Sequence, residues 1–218
     1  MMIVTDCLNE YFNLMEQKPH LFSRSEVYPI VTDREEIEGY ERKSGKRIGV
    51  LYKSPYNTLV VDLIDGENGY FTYERIIPTA GERGVVCVPV INGRFLLLNQ
   101  YRYSIRQLQI CFPRGFGEDG IPSCENAKKE MGEETGAVVS ECVRLGSLTA
   151  DSGLIGAECD VYLCIIESFD ESRHEEGIKE MLLLSQDELE EKISSGAIND
   201  GFTLGAYMLY KARKGESL

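Results

Sequence analysis

Residues 115–137, GFGEDGIPSCENAKKEMGEETGA, decide how this chain is read. The first third is a glycine-rich loop, in which Gly115, Gly117 and Gly120 let backbone approach a ligand closely and expose amides and carbonyls. The rest is predicted to be a short helix, beginning at Pro122-Ser123 with Ser123 as its cap and Glu125 near the positive end of the dipole. Gly136 is placed to end it in a left-handed conformation. A helix brings residues i, i+3 and i+4 to one face, so Glu130, Glu133 and Glu134 are expected to aim three carboxylates into one small volume. Like charges at that spacing cost about 0.2–0.5 kcal/mol per pair, a penalty that a divalent cation reverses. Gly132 inside the helix costs about 1 kcal/mol relative to alanine, so helix propensity alone does not account for the segment.

The available ligand types narrow the cation. Magnesium and manganese prefer hard oxygen donors, whereas zinc sites draw on Cys or His. The chain has two histidines, His20 and His174, and none of its seven cysteines forms a Cys-x2-Cys pair. An oxygen-ligated Mg2+ or Mn2+ is therefore expected over zinc. Three glutamates alone would read as a solvated acidic face. Their position between a glycine-rich loop and Gly136 reverses that reading.

The segment resembles the Nudix box, whose pattern is Gly-x5-Glu-x7-Arg-Glu-U-x-Glu-Glu-x-Gly-U, with U a bulky apolar residue. Gly115, Glu130, Met131, Glu133, Glu134 and Gly136 match in register, while Ile121, Lys129 and Ala137 depart from it. In that family the first Glu and the Arg brace the loop against the helix. With Ile121 facing Lys129, an altered brace with an outward-reaching lysine is expected, and an intact metal face. The resemblance extends over about residues 85 to 212. Val88 to Arg102 is similar to a hairpin of the ADP-ribose and nucleotide-sugar pyrophosphatases, and Phe112-Pro113-Arg114-Gly115 matches the approach to the box. Cys111 stands where many of those enzymes carry a Glu.

The resemblance implies a site. Glu130, Glu134 and the Arg114 carbonyl would hold Mg2+ or Mn2+, with Glu133 beside them in a catalytic role. Glu176 would take a proton from the attacking water, with Glu175 as its neighbour and Glu180 a more distant candidate. Arg102 and Gly115 would lie on the substrate side, Arg102 gripping a phosphate through its fork of donors. The expected reaction is metal-dependent hydrolysis of a nucleoside diphosphate linked to another moiety, ADP-ribose or a sugar nucleotide first, giving two monophosphates. A nucleotide-binding or sensor module of the same fold, with little or no catalysis, is the alternative, motivated by Ile121, Lys129 and Cys111.

Flanking segments complete the expected architecture. Val85 to Ile91 and Arg94 to Tyr103 read as strands joined at Asn92-Gly93, a strong hairpin signal. Cys159 to Ile166 and Met181 to Leu184 read as strands, Ser185-x-x-Glu188 as a capping box, and a last helix follows Gly201. This order argues an α/β/α sandwich around a mixed sheet. Ahead of it, residues 3 to 17 have an amphipathic helix pattern, and Lys46 to Lys53, Asn57 to Ile64 and Tyr70 to Ile77 read as three strands. The expected division is therefore 1–83, an N-terminal helix and small antiparallel β module, and 84–218, the main domain. In the resembling enzymes such a module joins two subunits and contributes to the pocket, so a homodimer is expected, with Tyr52, Tyr56 and Tyr73 as candidates to stack on a base. Specificity is expected from the loop Thr149 to Glu158.

Charge excludes some partners. A net charge of −13 without a Lys- or Arg-rich run argues against nucleic acid and anionic membranes. No apolar run approaches the roughly 20 residues that span a bilayer. An odd cysteine count without a signal peptide points to free thiols in a reducing compartment, and a cytoplasmic location is expected.

Overall fold

The computed structural model describes residues 6–23, 25–79, 81, 83–172 and 177–213. The chain divides into two compact units, Met1–Ala80 with Asp151–Ala157, and Gly81–Ala150 with Glu158–Leu218.

The smaller unit begins with helix α1, Cys7–Gln17, capped by the Asp6 side chain, which accepts the Asn9 N–H at 3.0 Å. A second helix, α2, spans Arg34–Ser44 and closes on Gly45 in the left-handed region. An antiparallel sheet follows in the order β1 (Gly49–Lys53), β2 (Asn57–Gly66), β3 (Gly69–Pro78). Leu8, Tyr11 and Leu14 of α1 pack with Ile37 of α2 and with Ile48, Val50, Val60, Leu63 and Ile77. The buried Asp62 carboxylate accepts from the Tyr11 hydroxyl and from Arg75 Nε, which makes its burial tolerable. Helix α2 escaped the sequence reading because Ile37 is its only buried residue, leaving almost no apolar stripe to detect. The strand expected from Lys46 starts at Gly49 instead, since Ile48 N–H is taken by the Glu41 carboxylate rather than by a strand.

Residues 151–157 belong to this unit although they lie in sequence within the larger one. The Ile76 N–H donates to the Leu154 carbonyl at 2.8 Å, and the Gly156 N–H to the Ile76 carbonyl at 2.9 Å. The loop expected to govern specificity is thus fastened along β3.

The larger unit is built on a mixed sheet with the path β10 (Ile178–Leu184), β5 (Arg94–Arg102), β4 (Gly84–Ile91), β9 (Cys159–Ser168), β8 (Val138–Leu148). β4 and β9 are parallel and the other pairs antiparallel. Two short strands lie off the path, β6 (Gln107–Cys111) on β5 and β7 (Arg114–Gly115) on β4. Asn92 and Gly93 both take positive φ, as the two-residue turn between β4 and β5 requires.

Both faces of the sheet are covered, which is why its central strands are near-continuous apolar runs. On one side Val86, Val88, Phe95, Leu97, Val161 and Leu163 pack with Leu189 of α4 (Gln186–Ser194) and with Ala206 and Tyr207 of α5 (Gly201–Arg213). On the other, Val85, Cys87, Leu96, Tyr162 and Cys164 pack with Ala127 and Met131 of α3 (Ser123–Thr135). The capping box at Ser185 and Glu188 is formed. The start of α3 differs from expectation. Pro122 holds the cap position without a side-chain bond, and Ser123 is the first helical residue, its hydroxyl donating instead to the Asp160 carboxylate at 2.9 Å.

Candidate active site

The strand β7 fixes the beginning of the glycine-rich loop by pairing Arg114 and Gly115 with Val86 and Val85. A methyl group at Gly115 would fall 1.9 Å from Cδ of Glu130, so the Glu130 carboxylate lies directly on the Gly115 α-carbon. Any side chain there would have to push the Glu130 carboxylate aside. One residue back, the Arg114 N–H donates to Glu134 Oε2 at 3.0 Å, and Glu134 is only 6% exposed. Two carboxylates one helical turn apart are thus seated on two adjacent residues of one short strand.

Glu133 is turned elsewhere. Its carboxylate lies 3.6 Å from Lys129 Nζ, so 129/133 and 130/134 form neighbouring i,i+4 rows on α3 rather than one cluster. Among the described residues, no three acidic, His or Cys side chains gather as a ready-made metal cage. The expected convergence of three carboxylates is therefore corrected to a pair, Glu130 and Glu134, with Glu133 on the adjacent row. That pair still fits a magnesium-like ion, which uses one or two carboxylates and keeps several waters.

Lys129 also carries the link between loop and helix. Its ammonium pairs with the Glu118 carboxylate, which, with the charges of Glu133 and Glu130, raises the lysine pKa above its ordinary value against partial desolvation. The acid missing at Ile121 is thus supplied three residues earlier. The lysine bridges loop and helix, where an outward reach was expected. Glu118 carries no motif signal in the sequence because it stands three residues ahead of the motif position. A cleft of about 220 Å³ is lined by residues 117–121, Arg83, Ser123 and Asn126. Neither Glu130 nor Glu134 lines it, so it is separate from the carboxylate pair.

The Arg114 guanidinium is committed to structure. It pairs with Asp200 at 2.9 and 3.2 Å and lies over the Phe202 ring at 4.5 Å. Asp200 also accepts the Thr203 N–H at 2.9 Å and the Thr203 hydroxyl at 2.7 Å, capping α5, while Thr203 Oγ1 accepts the Phe112 N–H at 2.9 Å. The approach to the loop is thereby tied to the start of α5.

Arg102 ends β5, where its Nη2 donates to Cys111 Sγ at 3.0 Å, and its Nε is buried without a hydrogen-bond partner. Burial pushes the Cys111 thiol pKa up, opposed by the positive charges of Arg102 and Arg114. Glu175 and Glu176 lie outside the described residues. The described end of their loop is bonded beside Arg102, since the Gly177 carbonyl accepts the N–H of Tyr101, the residue before Arg102, at 2.7 Å. Glu180 is exposed on β10 and accepts from Asn99 Nδ2 at 2.8 Å. Tyr52, Tyr56 and Tyr73 are exposed in the smaller unit, Tyr73 donating its hydroxyl to the Gly153 carbonyl.

No protein-family model matches the chain, and no curated protein matches it. Among solved structures it is similar to an ADP compounds hydrolase, with 19% identity, a TM-score of 0.66, and coverage of 78% of this chain and 94% of that one. It is also similar to a NUDIX hydrolase from Nitrosomonas europaea, with 22% identity, a TM-score of 0.51, and coverage of 62% and 90%. The chain therefore has the Nudix fold, a mixed sheet between helices with an additional antiparallel three-stranded sheet.

Proposed function

We propose that this chain is a divalent-metal-dependent pyrophosphohydrolase that splits a nucleoside diphosphate linked to another moiety into two monophosphates. ADP-ribose or a sugar nucleotide is the preferred substrate class. The observation that carries the reading is the seating of Glu130 on the Gly115 α-carbon and of Glu134 on the Arg114 N–H, a built pair of hard-oxygen donors inside a glycine-rich loop. The fold shared with an ADP compounds hydrolase supports it.

A pyrophosphate is a crowded anion that repels a nucleophile and gains charge on its leaving oxygen. Glu130, Glu134 and the Arg114 carbonyl would hold Mg2+ or Mn2+, which when bound neutralises phosphate oxygens and acidifies water. Glu133, half-buried on the row next to that pair, orients the attacking water. Glu176, with Glu175 beside it, accepts its proton. Gly115 leaves the loop backbone bare so that the diphosphate approaches closely. Arg102 presents its guanidinium to a substrate phosphate, and Arg114, spent on Asp200, keeps the loop in place.

Glu134→Gln tests this directly. It retains size and an acceptor for the Arg114 N–H but removes the charge, so kcat is expected to fall by about a hundredfold or more, with little change in melting temperature. Mn2+ affinity, read by electron paramagnetic resonance, should weaken in parallel. Undiminished activity and Mn2+ binding in this variant refute the assignment. We further propose that residues 1–83 join two copies into a cytoplasmic homodimer, which sedimentation velocity checks.

A further inference from the structure

Phe116 stands between the first two glycines of the loop, and the main chain on either side of it is fixed. Gly115 is paired into β7 with the Glu130 carboxylate on its α-carbon, while a methyl group at Gly117 would fall 2.2 Å from the Arg83 carbonyl oxygen. Phe116 is itself tied through its backbone, since its carbonyl accepts from Nδ2 of Asn126, a residue only 1% exposed, at 2.8 Å. The phenylalanine nevertheless remains 60% exposed. A single apolar side chain on a pliant surface loop calls for no explanation. Here strand pairing, a close glycine contact and a buried amide hold the main chain, so the ring is presented from a fixed base. Only two side-chain torsions are left to be ordered when a ligand covers it, which makes an aromatic face available at low entropic cost.

The chain itself places this ring near the carboxylate pair. A methyl group at Gly115 would fall 1.9 Å from Glu130 Cδ, and adjoining Cα atoms are about 3.8 Å apart, so the Phe116 Cα lies within about 8 Å of that carboxylate. A diphosphate held at Glu130 and Glu134 continues through a ribose to its base, which brings a planar heterocycle within range of the ring. Tyr52, Tyr56 and Tyr73 belong to the smaller unit, whereas Phe116 is an exposed aromatic carried by the very loop that seats the pair.

We infer that Phe116 is a specificity-determining residue, stacking on the nucleobase of the substrate so that the loop selects nucleotides over diphosphates that lack a base. Every base offers a π face, and a phenyl ring brings no hydrogen-bonding group. Phe116 therefore sets the requirement for a base without choosing among the bases. The inference rests on the hydrolase reading for the position of the diphosphate and adds what holds the other end of the nucleotide.

Phe116→Ala is expected to raise KM for ADP-ribose by about tenfold, the ordinary worth of one base on an aromatic ring, with the loss falling on KM rather than kcat. Inhibition by the product AMP should weaken by the same factor, while inhibition by ribose 5-phosphate, which lacks the base, stays as it was. Phe116→Tyr should recover what alanine loses. Equal weakening of AMP and ribose 5-phosphate marks a displaced loop and overturns the inference, as does an unchanged KM. A second measurement needs no turnover. The chain contains no tryptophan, so Phe116→Trp supplies a single reporter at the site. Its emission should be quenched saturably by at least one of AMP, GMP, CMP and UMP, and not by ribose 5-phosphate. Such quenching in a protein that turns over no nucleotide supports the inference and leaves the hydrolase reading to fail alone. Turnover without quenching, or equal quenching by ribose 5-phosphate, overturns the inference and leaves the hydrolase reading standing.

Discussion

Gly115 has no side chain because the Glu130 carboxylate occupies the place a side chain would take. Gly115→Ala must therefore displace either the strand or the carboxylate. Displacement of a reacting group by about 1 Å costs on the order of a hundredfold in rate, so kcat/KM should fall by about that much. Steady-state kinetics beside a circular-dichroism melt checks the prediction, and an alanine variant with full activity contradicts it. The brace gives a second prediction. Exchanging charges in Glu118→Lys with Lys129→Glu should restore most of the activity that either single change removes. Exposed ion pairs are worth only about 0.2–1 kcal/mol, so a kinetic readout is more sensitive here than a thermal one. At this scale the sequence was partly legible. Residue types at fixed spacing announced Glu130 and Glu134. The moved acid at Glu118 was hidden because a side chain that reaches across a loop leaves no periodic signal. Gly132, with open space around its α-carbon, has no structural explanation.

Helix α3 is held at its start by polar contacts that sequence patterns did not foretell. At its start Ser123 and the guanidinium of Arg144 donate to the buried Asp160, Arg144 Nη2 at 2.8 Å, with Arg83 at 3.3 Å. Burial alone would raise the Asp160 pKa, but these donors and charges outweigh it and hold the carboxyl below its ordinary 3.8. A depressed folded-state pKa stabilises the protein above the unfolded value, and that contribution is lost as pH falls through the folded one. Asp160→Asn should accordingly lower Tm at neutral pH, and its gap from the wild type should close below about pH 4. A gap independent of pH contradicts the ion-pair account. Within the same helix Cys124 is pushed up to about 11 by burial and by hydrogen bonding with Cys142, so alkylation of Cys124 should be slow at pH 7.5 and rise steeply toward pH 11, as peptide mapping would show. For α5, Asp200→Ala removes both a cap and the partner of Arg114, and should destabilise the larger unit by about 3 kcal/mol in urea unfolding. Elements with strong apolar patterning were read from sequence almost to their ends, β4 and β5 above all. Those built on few buried residues, α2 and the two-residue β7, carried too little signal.

The molecule consists of a Nudix-fold unit and a smaller helix-and-sheet unit to which residues 151–157 are fastened. None of the helices among the described residues is long and apolar enough to cross a membrane. The α/β/α layering followed from strands apolar on both faces alternating with helices, and it holds. The assignment of residues 151–157 to the smaller unit was not legible, because its hydrogen bonds with β3 run between backbone groups far apart in sequence. Metal dependence belongs to this scale as well. Chelation should abolish activity, and Mg2+ or Mn2+ should restore it, with Zn2+ a poor substitute for hard-oxygen ligands. The most direct measurement is chromatographic detection of nucleoside monophosphate released from a panel of ADP-ribose, sugar nucleotides and dinucleoside polyphosphates, with Mg2+ and with excess chelator. The account predicts metal-dependent release of two monophosphates from at least one nucleoside diphosphate derivative by the wild type, and almost none by Glu134→Gln. Tight binding without turnover of any compound, or turnover unaffected by Glu134→Gln, would contradict it.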